Sequence, residues 1–540
     1  MYLVYYFLIS ISILGYGLLI NKNFNINSRN LGIIGFIGIF FLILVSYLST
    51  LFLAHDYNFN LFILIVGLAL AIYFLKNYQI LKIDLINFFL VFLILFIFIL
   101  VGKNHDDFSY YHFPYIHLLT QDSHPFGLGL LNNGFRNQSS LFFFNSLFYL
   151  PKIDIYFYHI GAVFFLGFTN LFFLKNIFDQ NTFKNFKFYN FINLFFLVFI
   201  NIFFYRLAEY GTDRLGSILI ILAFIILLLI INQNSRFSQL NNELIKFFII
   251  IGCITISMKS FYLIYISLLF FLIYYSHLNN FFFKFLKSKL FVLVFFFIFF
   301  SFFFNFINSS CFVFPAQFTC YDKLSWSISK NEVENVKIWY ELWAKGGATP
   351  NFVVENRVDY ISNFNWVKNW LNVYFFNKIS DYILSIILLV VIFYFTFFSK
   401  VKSNFKKRKY YIIIFFLIVY LIEWFLFHPS LRYGGYHIFI LIVSIPLIIS
   451  IEKFELSWTS FRKKAIIFVM ITLVIFLGRN ILRLNKEYNV YNYNIFKNMN
   501  YKFIGGDRDY YFRYEKLIND KDFNYEYKVF LGKKILVIKN

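Results

Sequence analysis

Charged residues are scarce in this chain of 540 residues. They make up 14% of it, whereas soluble domains carry about a quarter. Hydrophobic residues account for 60%, and apolar runs of membrane-spanning length recur along the chain. No water-soluble fold could bury that much apolar surface. Because the apolar runs are unbroken and do not alternate with polar residues, an outer-membrane barrel is also excluded. Three cysteines are too few for a disulfide scaffold.

Acidic residues are few, with 27 Asp and Glu against 49 Lys and Arg, so the net charge is +22. The basic residues lie in short tracts between apolar runs and form no single basic face, which argues against a nucleic-acid partner. Residues 1–20 have neither a basic leading segment nor a small-residue cleavage site. They therefore predict a retained membrane span rather than a cleaved signal.

The sequence predicts an all-α polytopic membrane protein in the lipid bilayer, with about fourteen transmembrane helices. The predicted spans lie near 2–20, 31–53, 61–75, 84–102, 155–174, 188–206, 215–232, 245–258, 261–277, 289–307, 380–398, 410–427, 437–450 and 464–480. One kinked helix over 245–277 is the alternative to two short spans, and Lys259 near its middle favours two.

Three regions follow from this pattern. Residues 1–83 are N-terminal accessory spans, 84–480 form the membrane core, and 481–540 form a small extramembrane segment. In that last segment, two β-rich runs around Gly532-Lys533 predict a hairpin.

Loop charge predicts the orientation of the spans. The strongest basic tract, 399–410, should be cytoplasmic. Alternation then places the other short basic loops on the same side, namely 76–83, 175–187, 233–244, 278–288 and 451–463. The periplasmic face of a bacterial inner membrane would receive the long polar loops 103–154, 208–214, 308–379 and 428–436 and the tail. The spans carry almost no ionisable residue at mid-depth, which argues against an ion-coupled transporter.

The first outer loop opens with two carboxylates, Asp106 and Asp107, flanked by His105 and His112. A carboxylate at the membrane surface can deprotonate an acceptor hydroxyl, which is general-base chemistry. The structural alternative is that one Asp caps the short helix that follows. A metal site built with the two histidines is a further alternative, although the spacing matches no standard site.

A second polar cluster spans 206–214 and contains Glu209, Asp213 and Arg214. It offers further carboxylates and an arginine that can bind an anion. The alternative is a salt-bridged hairpin that satisfies its own charges.

A third cluster spans 428–437, in which a proline and paired glycines allow close approach to a ligand. Arg432 offers a fork suited to phosphate oxygens, with His428 and Tyr433 beside it and Lys259 as a second phosphate partner. An ordinary turn whose arginine reaches the lipid headgroups is the alternative.

The 308–379 loop contains Cys311 and Cys320, which can close a disulfide in an oxidising periplasm or remain free thiols. It also carries five tryptophans, each of which suits either a sugar platform or an interfacial belt. They are Trp326, Trp339, Trp343, Trp366 and Trp370.

These motifs, all on one predicted face, resemble the GT-C superfamily of integral-membrane glycosyltransferases. The segments HDDFSYYHFPY, AEYGTDR and HPSLRYGGY are also similar to those of a group of uncharacterised bacterial membrane proteins. The resemblance implies that Asp106 or Asp107 is the catalytic carboxylate and that Arg432 binds the donor phosphate. The acidic loop follows the fourth predicted span, whereas in the superfamily it follows the first. No Trp-Trp-Asp motif is present, so peptide glycosylation is not supported.

The resemblance implies transfer of a sugar from a polyprenyl-phosphate donor to an extracytoplasmic glycan or lipid acceptor, with no cofactor and no metal. Glu209 and Asp213 are the reserve carboxylates, and Arg214 and Lys259 help to hold the phosphate. An O-antigen-type polysaccharide polymerase or ligase is the first alternative, because it would use the Arg and His residues of 428–437 and leave the Asp pair dispensable. A lipid or glycan transporter is the second.

Overall fold

The helices lie where the apolar runs lie. A computed structural model describes residues 1–77, 80–101, 105, 107–232, 238–274, 279–349, 351–401, 411–495, 525–530 and 533–538. Within these residues, ten helices are long and apolar enough to cross a membrane. They are Tyr2–Asn23, Leu31–Thr50, Tyr57–Lys76, Lys82–Leu100, Gln180–Phe203, Thr212–Ile231, Lys289–Ser309, Val367–Phe397, Gly435–Glu452 and Trp458–Tyr491. These helices are those of an all-α polytopic protein, as the sequence predicts.

Fourteen spans are predicted and ten helices meet the length and hydropathy required of a span, so the count of fourteen stays a prediction. The other four predicted positions hold helical segments, three of which are shorter apolar helices: Gly161–Ile177, Ser260–Phe270 and Ile412–Phe427. The fourth, Ser238–Met258, has 21 residues but opens with the polar sequence SQLNNE. Apolar composition alone does not separate a full crossing from a partial one.

The helix breaks at Lys259, as the charge of that residue predicts. Ser238–Met258 ends before it, and Lys259 itself is extended, with φ −158° and ψ 144°. A 3₁₀ segment over Ser260–Ile266 and an α-helix over Ser267–Tyr274 follow.

Shorter helices lie in the long loops and between the spans. They are Phe113–Gln121, Ser140–Ser146, Leu207–Tyr210, Asn279–Leu286, Lys330–Lys345 and Arg357–Ile361. Side-chain caps mark several helix starts, because a short polar side chain satisfies a backbone N–H that the helix leaves free. The Asn30 side chain accepts from Gly32 N at 2.9 Å, and the Ser329 hydroxyl accepts from Glu332 N at 3.3 Å.

Glycines allow the N-terminal helices to pack closely against each other and against the rest of the bundle. A Cβ on Gly15 would lie 2.0 Å from the carbonyl oxygen of Gly67. A Cβ on Gly32 would lie 2.5 Å from the carbonyl oxygen of Phe168. Such approach of two helix backbones requires the smallest side chains. Residues 1–83 therefore share one apolar core with the helices that follow.

The long polar loops gather at one end of the helix bundle. The backbone N–H of His55 donates to the carbonyl of Leu119 at 2.9 Å, which joins the loop before the third span to the first long outer loop. Trp370 Nε1 donates to the carbonyl of Pro429 at 2.7 Å, which joins 308–379 to 428–436. These contacts pair loops that the charge pattern assigns to the same face. We call this end the polar end.

The basic loops gather at the opposite end. Lys187 Nζ donates to the carbonyl of Phe454 at 2.5 Å, and the backbone N–H of Glu455 donates to the carbonyl of Lys400 at 2.8 Å. The described parts of loops 175–187, 399–410 and 451–463 are thus neighbours, as their shared charge predicts. We call this end the basic end.

The C-terminal segment contains the predicted hairpin. Strands Tyr525–Phe530 and Lys533–Ile538 pair antiparallel. The hairpin docks on the first outer loop, where Phe126 N donates to the Lys534 carbonyl at 3.0 Å and Leu536 N donates to the Phe126 carbonyl at 2.9 Å. It therefore lies at the polar end.

Candidate functional site

Four charged side chains from separate parts of the chain meet at the polar end. Arg432 pairs through Nη2 with the Asp107 carboxylate and through Nε with the Asp213 carboxylate. Lys259 Nζ pairs with the other oxygen of Asp213. Two acids and two bases balance in formal charge. We call these four residues the ion cluster.

Each member of the ion cluster lies in a turn, at a helix break or at the start of a helix. Asp107 precedes a π-helical turn over Phe108–His112, and Asp213 lies in the first turn of Thr212–Asn232. Lys259 is the extended residue at the helix break, and Arg432 lies in the 3₁₀ turn Leu431–Tyr433. Side chains at such points project beyond the ends of helices, so they can converge at the polar end.

Aromatic side chains fix the turn that carries the arginine. Trp370 Nε1 donates to the carbonyl of Pro429, and Trp424 Nε1 donates to the carbonyl of Ser430, each at 2.7 Å. Gly434 then takes φ +126°, a conformation that favours glycine, and helix Gly435–Glu452 begins. The turn is held from two sides, which keeps the guanidinium in place.

The ion cluster is only partly shielded from solvent. Side-chain exposure is 29% for Arg432, 26% for Asp107, 18% for Lys259 and 9% for Asp213. Burial alone would raise the pKa of Asp107, but the charge of Arg432 holds that pKa below its ordinary value. At neutral pH the Asp107 carboxylate is therefore ionised, and it faces a cation.

Asp107 does not serve as a helix cap, since its side chain makes no capping hydrogen bond to the turn that follows. His105 Nδ1 accepts from the Asp107 backbone N–H at 3.1 Å and lies 3.5 Å from its Oδ2. The His105 backbone N–H donates to the carbonyl of Glu209 at 3.3 Å, which joins the first two polar clusters. Asp106 lies outside the described residues. Within the described ranges, no three or more His, Cys, Asp or Glu residues form a group suited to a metal ion.

His112 is buried beside the ion cluster. Its ring lies 4.3 Å from that of Tyr111 and 4.9 Å from that of Phe142, and its Nε2 has no hydrogen-bond partner among the described residues. Burial lowers the pKa of His112 to about 3, so the ring is neutral. Gly211, at φ +57°, faces it: a Cβ there would lie 3.0 Å from His112 Cε1.

Glu209 belongs to a separate, structural ion pair. Arg206 Nε donates to one carboxylate oxygen at 2.6 Å and its Nη2 contacts the other. Arg483, from the last long helix, contacts the first oxygen at 2.8 Å, and the Glu209 side chain is 3% exposed. The Arg206–Glu209 pair is internal to the segment, as the salt-bridged alternative predicts, whereas Arg483 and the partners of Asp213 lie outside it. The Arg214 guanidinium lies 5.8 Å from the centroid of the Tyr436 ring.

Aromatic rings form a wall beside the arginine. The Tyr433 ring lies 5.4 Å from Trp343 and 5.9 Å from His428. The Arg432 guanidinium lies 5.9 Å from the centroid of Trp343, within the range of a cation–π contact. Burial, with a smaller contribution from Lys345, lowers the pKa of His428 to about 4.

Helix Lys330–Lys345 supplies residues that the sequence interpretation did not assign to the site. Burial raises the pKa of Tyr340, which lies within electrostatic reach of Arg432 and Asp107. Val333, Tyr340 and Trp343 recur at helical spacing in an otherwise polar segment. That periodicity predicts an amphipathic helix, and it could have identified the segment.

The first outer loop contains a buried arginine. Arg136 is 5% exposed, its Nε donates to the carbonyl of Gly129 at 3.0 Å, and its Nη2 donates to Glu332 at 2.5 Å. This pair links the first outer loop to the Lys330–Lys345 helix.

Cys311 and Cys320 form a disulfide, with Cα atoms 3.9 Å apart. The loop that it closes begins directly after helix Lys289–Ser309, and Asn305 Nδ2 donates to the carbonyl of Phe312 at 3.3 Å. Cys253 is buried within its helix, as expected of a packing residue.

Comparison with known proteins adds a family. Residues 1–440 match the family described as a domain of unknown function, DUF8201. The chain belongs to the DUF8201 family. All four residues of the ion cluster of this DUF8201 protein fall within the matched residues, whereas Arg483 and the hairpin lie beyond them. No curated protein matches the chain, and no solved structure matches it.

Proposed function

We propose that this protein is a membrane glycosyltransferase of the GT-C type. It moves a sugar from a polyprenyl-phosphate donor to a glycan or lipid acceptor, and it needs no cofactor. The observation that carries the proposal is the position of Arg432 between Asp107 and Asp213 at the polar end of the helix bundle. A transferase that uses a lipid-phosphate donor needs this combination, in which phosphate-holding cations lie next to a carboxylate at the membrane surface.

The two cations suit a single phosphate group. The planar guanidinium of Arg432 can donate two parallel hydrogen bonds to phosphate oxygens, and Lys259 adds a compact positive charge. Both hold the leaving group as negative charge develops on it, which lowers the barrier to transfer. The aromatic wall of Trp343, Tyr433 and His428 offers a face on which a sugar ring can stack.

The carboxylate supplies the proton acceptor. In a single displacement, the acceptor oxygen forms a bond to sugar C1 while the bond from C1 to the phosphate oxygen breaks and its electron pair leaves with the polyprenyl phosphate. The acceptor proton passes to Asp107, with Asp106 as the neighbouring candidate. Asp213 holds the cations. Glu209 is fully engaged by arginines, so it is no longer a reserve base.

The proposal places the polar end in the periplasm of a bacterial inner membrane. The basic loops cluster at the opposite end, and positive loops are retained in the cytoplasm. The Cys311–Cys320 disulfide lies at the polar end, and disulfides persist in oxidising compartments.

The test uses a deletion mutant of the native host, complemented with the wild-type protein or with Asp107→Asn, Asp106→Asn or Arg432→Ala. Surface glycolipids and glycans are profiled by mass spectrometry. The proposal expects that Arg432→Ala and one of the Asp variants remove one sugar from a product, and the missing mass identifies that sugar. Glu334→Gln, which alters an exposed carboxylate paired with Lys337, is the matched control and should behave as wild type.

A polysaccharide polymerase predicts a different result. Both Asp variants would then behave as wild type, and Arg432→Ala would shorten polymer chains without removing a particular sugar. Membrane insertion of each variant is verified by immunoblotting of the membrane fraction, so that loss of product is not confused with loss of protein.

A further inference from the structure

We infer that the donor phosphate takes the place of Asp107 on Arg432, and that Asp107 becomes able to accept a proton only through this exchange. The inference rests on the proposed function, since it concerns the order of events at the same site. It also assigns different roles to the two carboxylates: Asp107 is the base, and Asp213 is a positioning residue.

The contacts of the two carboxylates are unequal. Asp213 binds both Arg432 and Lys259, and its side chain is 9% exposed. Asp107 binds Arg432 through one nitrogen, and its side chain is 26% exposed. An incoming anion therefore meets the Asp107 contact first and breaks fewer bonds by replacing it.

The backbone of Asp213 is also the better anchored. Its carbonyl accepts from Tyr262 Oη at 3.1 Å and from Ser217 Oγ at 3.2 Å, and it lies in the first turn of a long buried helix. Asp107 instead precedes a π-helical turn that runs into the short helix Phe113–Gln121. Asp213 can hold the two cations in register while Asp107 moves away from them.

Electrostatics link the exchange to catalysis. While Asp107 faces Arg432, its carboxylate is paired and its pKa is held below the ordinary value, so it is a poor base. A phosphate on Arg432 would neutralise the guanidinium and place a negative charge beside the released carboxylate. Both changes raise the affinity of Asp107 for a proton. The base is thus activated only when the donor is present.

The neighbouring groups do not take over this role. His112 is neutral with a pKa of about 3, which makes it a weak proton acceptor at neutral pH. Both oxygens of Glu209 are held by Arg206 and Arg483. Release of Asp213 would take the carboxylate partner of Lys259, whereas release of Asp107 leaves Arg432 bound to Asp213.

The experiment measures binding of farnesyl phosphate, a short polyprenyl phosphate, to the full-length protein in lipid nanodiscs. Asp107→Asn should bind it about fivefold more tightly than wild type, because the Asp107 carboxylate no longer competes for Arg432 and a partly exposed ion pair is worth that order of affinity. Asp213→Asn should bind it more weakly, because the two cations lose their shared anchor. Glu334→Gln should match wild type, and the neutral alcohol farnesol should show no difference between variants.

The outcomes separate the inference from the proposed function. If Arg432→Ala binds farnesyl phosphate as well as wild type does, or if wild type does not bind it, then the phosphate site itself is wrong and the proposed function fails. If Arg432→Ala loses binding but Asp107→Asn binds no more tightly than wild type, then the exchange is wrong while the proposed function stands. Asp107→Ser is the second variant. It is needed because the amide of Asp107→Asn can still contact the Arg432 guanidinium. It also covers the case in which Asp107→Asn does not fold.

Discussion

Two carboxylates four residues apart, Glu209 and Asp213, have different partners. Asp213 binds Arg432 and Lys259, whereas Glu209 binds Arg206 and Arg483. A carboxylate that is buried beside two arginines stabilises the fold, because removing its charge takes one charged partner from each arginine in a region with little water. The same side-chain chemistry thus serves structure at one position and the ion cluster at the other.

Replacement of Glu209 by glutamine should therefore lower stability without removing activity. We expect Glu209→Gln to reduce the free energy of unfolding by about 2–4 kcal/mol, because the side chain is 3% exposed and each arginine loses a charged partner. Thermal unfolding in detergent measures the first effect, and product formation per amount of folded protein measures the second. Loss of product with an unchanged melting temperature would make Glu209 catalytic. Glu334→Gln provides the comparison for an exposed carboxylate.

At the scale of residues, the sequence located the polar groups but could not pair them. Asp107 and Arg432 are in contact although 325 positions separate them, and no local pattern encodes such a partner. The Arg214 guanidinium lies 5.8 Å from the centroid of the Tyr436 ring, a neighbour that the sequence does not reveal, and its role in holding an anion stays a prediction. The roles of Asp107, Asp213 and Arg432 stay predictions, which the binding experiment tests.

At the scale of elements, the disulfide loop connects the membrane helix Lys289–Ser309 to the helix Lys330–Lys345 beside the ion cluster. Closing a loop of this size stabilises the folded state by about 2–3 kcal/mol on the chain-entropy model. The double replacement Cys311→Ser with Cys320→Ser should therefore lower the melting temperature. It should also increase protease cleavage within 308–330, both measured on protein in nanodiscs.

The control for this change is Cys253→Ser, which removes the free thiol and leaves the disulfide intact. Treatment of the wild-type protein with a reductant should reproduce the effect of the double variant. A melting temperature that is equal in the double variant and in wild type would show that contacts such as that of Asn305 with the Phe312 carbonyl hold the loop by themselves.

Most membrane helices could be predicted from the sequence, because a run of about 20 apolar residues has few alternatives to a membrane span. The segments of intermediate length were less certain. Ile412–Phe427 and Gly161–Ile177 are apolar but shorter, and hydropathy does not show how deep they reach. Amphipathic helices in the loops, such as Lys330–Lys345, carry their apolar residues at helical spacing within polar sequence, so long apolar runs do not reveal them.

At the scale of the whole molecule, buried histidines make stability depend on pH. Burial lowers the pKa of six histidines outside the membrane-spanning helices, to about 3 for three of them and to about 4 for the others. They are His55, His112 and His124, followed by His117, His159 and His428. Below about pH 6.5 the unfolded chain binds protons that the folded chain does not, so stability falls as pH decreases toward 4.

We expect the melting temperature to fall between pH 7 and pH 5, with each histidine contributing up to about 1.4 kcal/mol per pH unit. His124→Gln should reduce this dependence, because it removes one titrating ring and keeps an amide near Tyr115, whose hydroxyl contacts His124 Nε2 at 2.9 Å. Thermal unfolding of both proteins across this pH range measures the difference. Melting temperatures that do not vary between pH 7 and pH 5 would contradict the argument.

The separation of the two ends of the molecule predicts its orientation in the membrane. The polar end holds the ion cluster and the disulfide, and the basic end holds loops that resist translocation. Two variants with a single free thiol, made in a Cys253→Ser background, test the orientation: Asn331→Cys at the polar end and Glu455→Cys at the basic end, both at exposed positions. We expect an impermeant maleimide, added to cells with a permeabilised outer membrane, to label Asn331→Cys, and to label Glu455→Cys only after lysis. The reverse pattern would place the ion cluster in the cytoplasm. There soluble nucleotide sugars are the common donors and a reducing environment opposes the Cys311–Cys320 disulfide, so both the periplasmic location and the proposed lipid-phosphate donor would have to be abandoned.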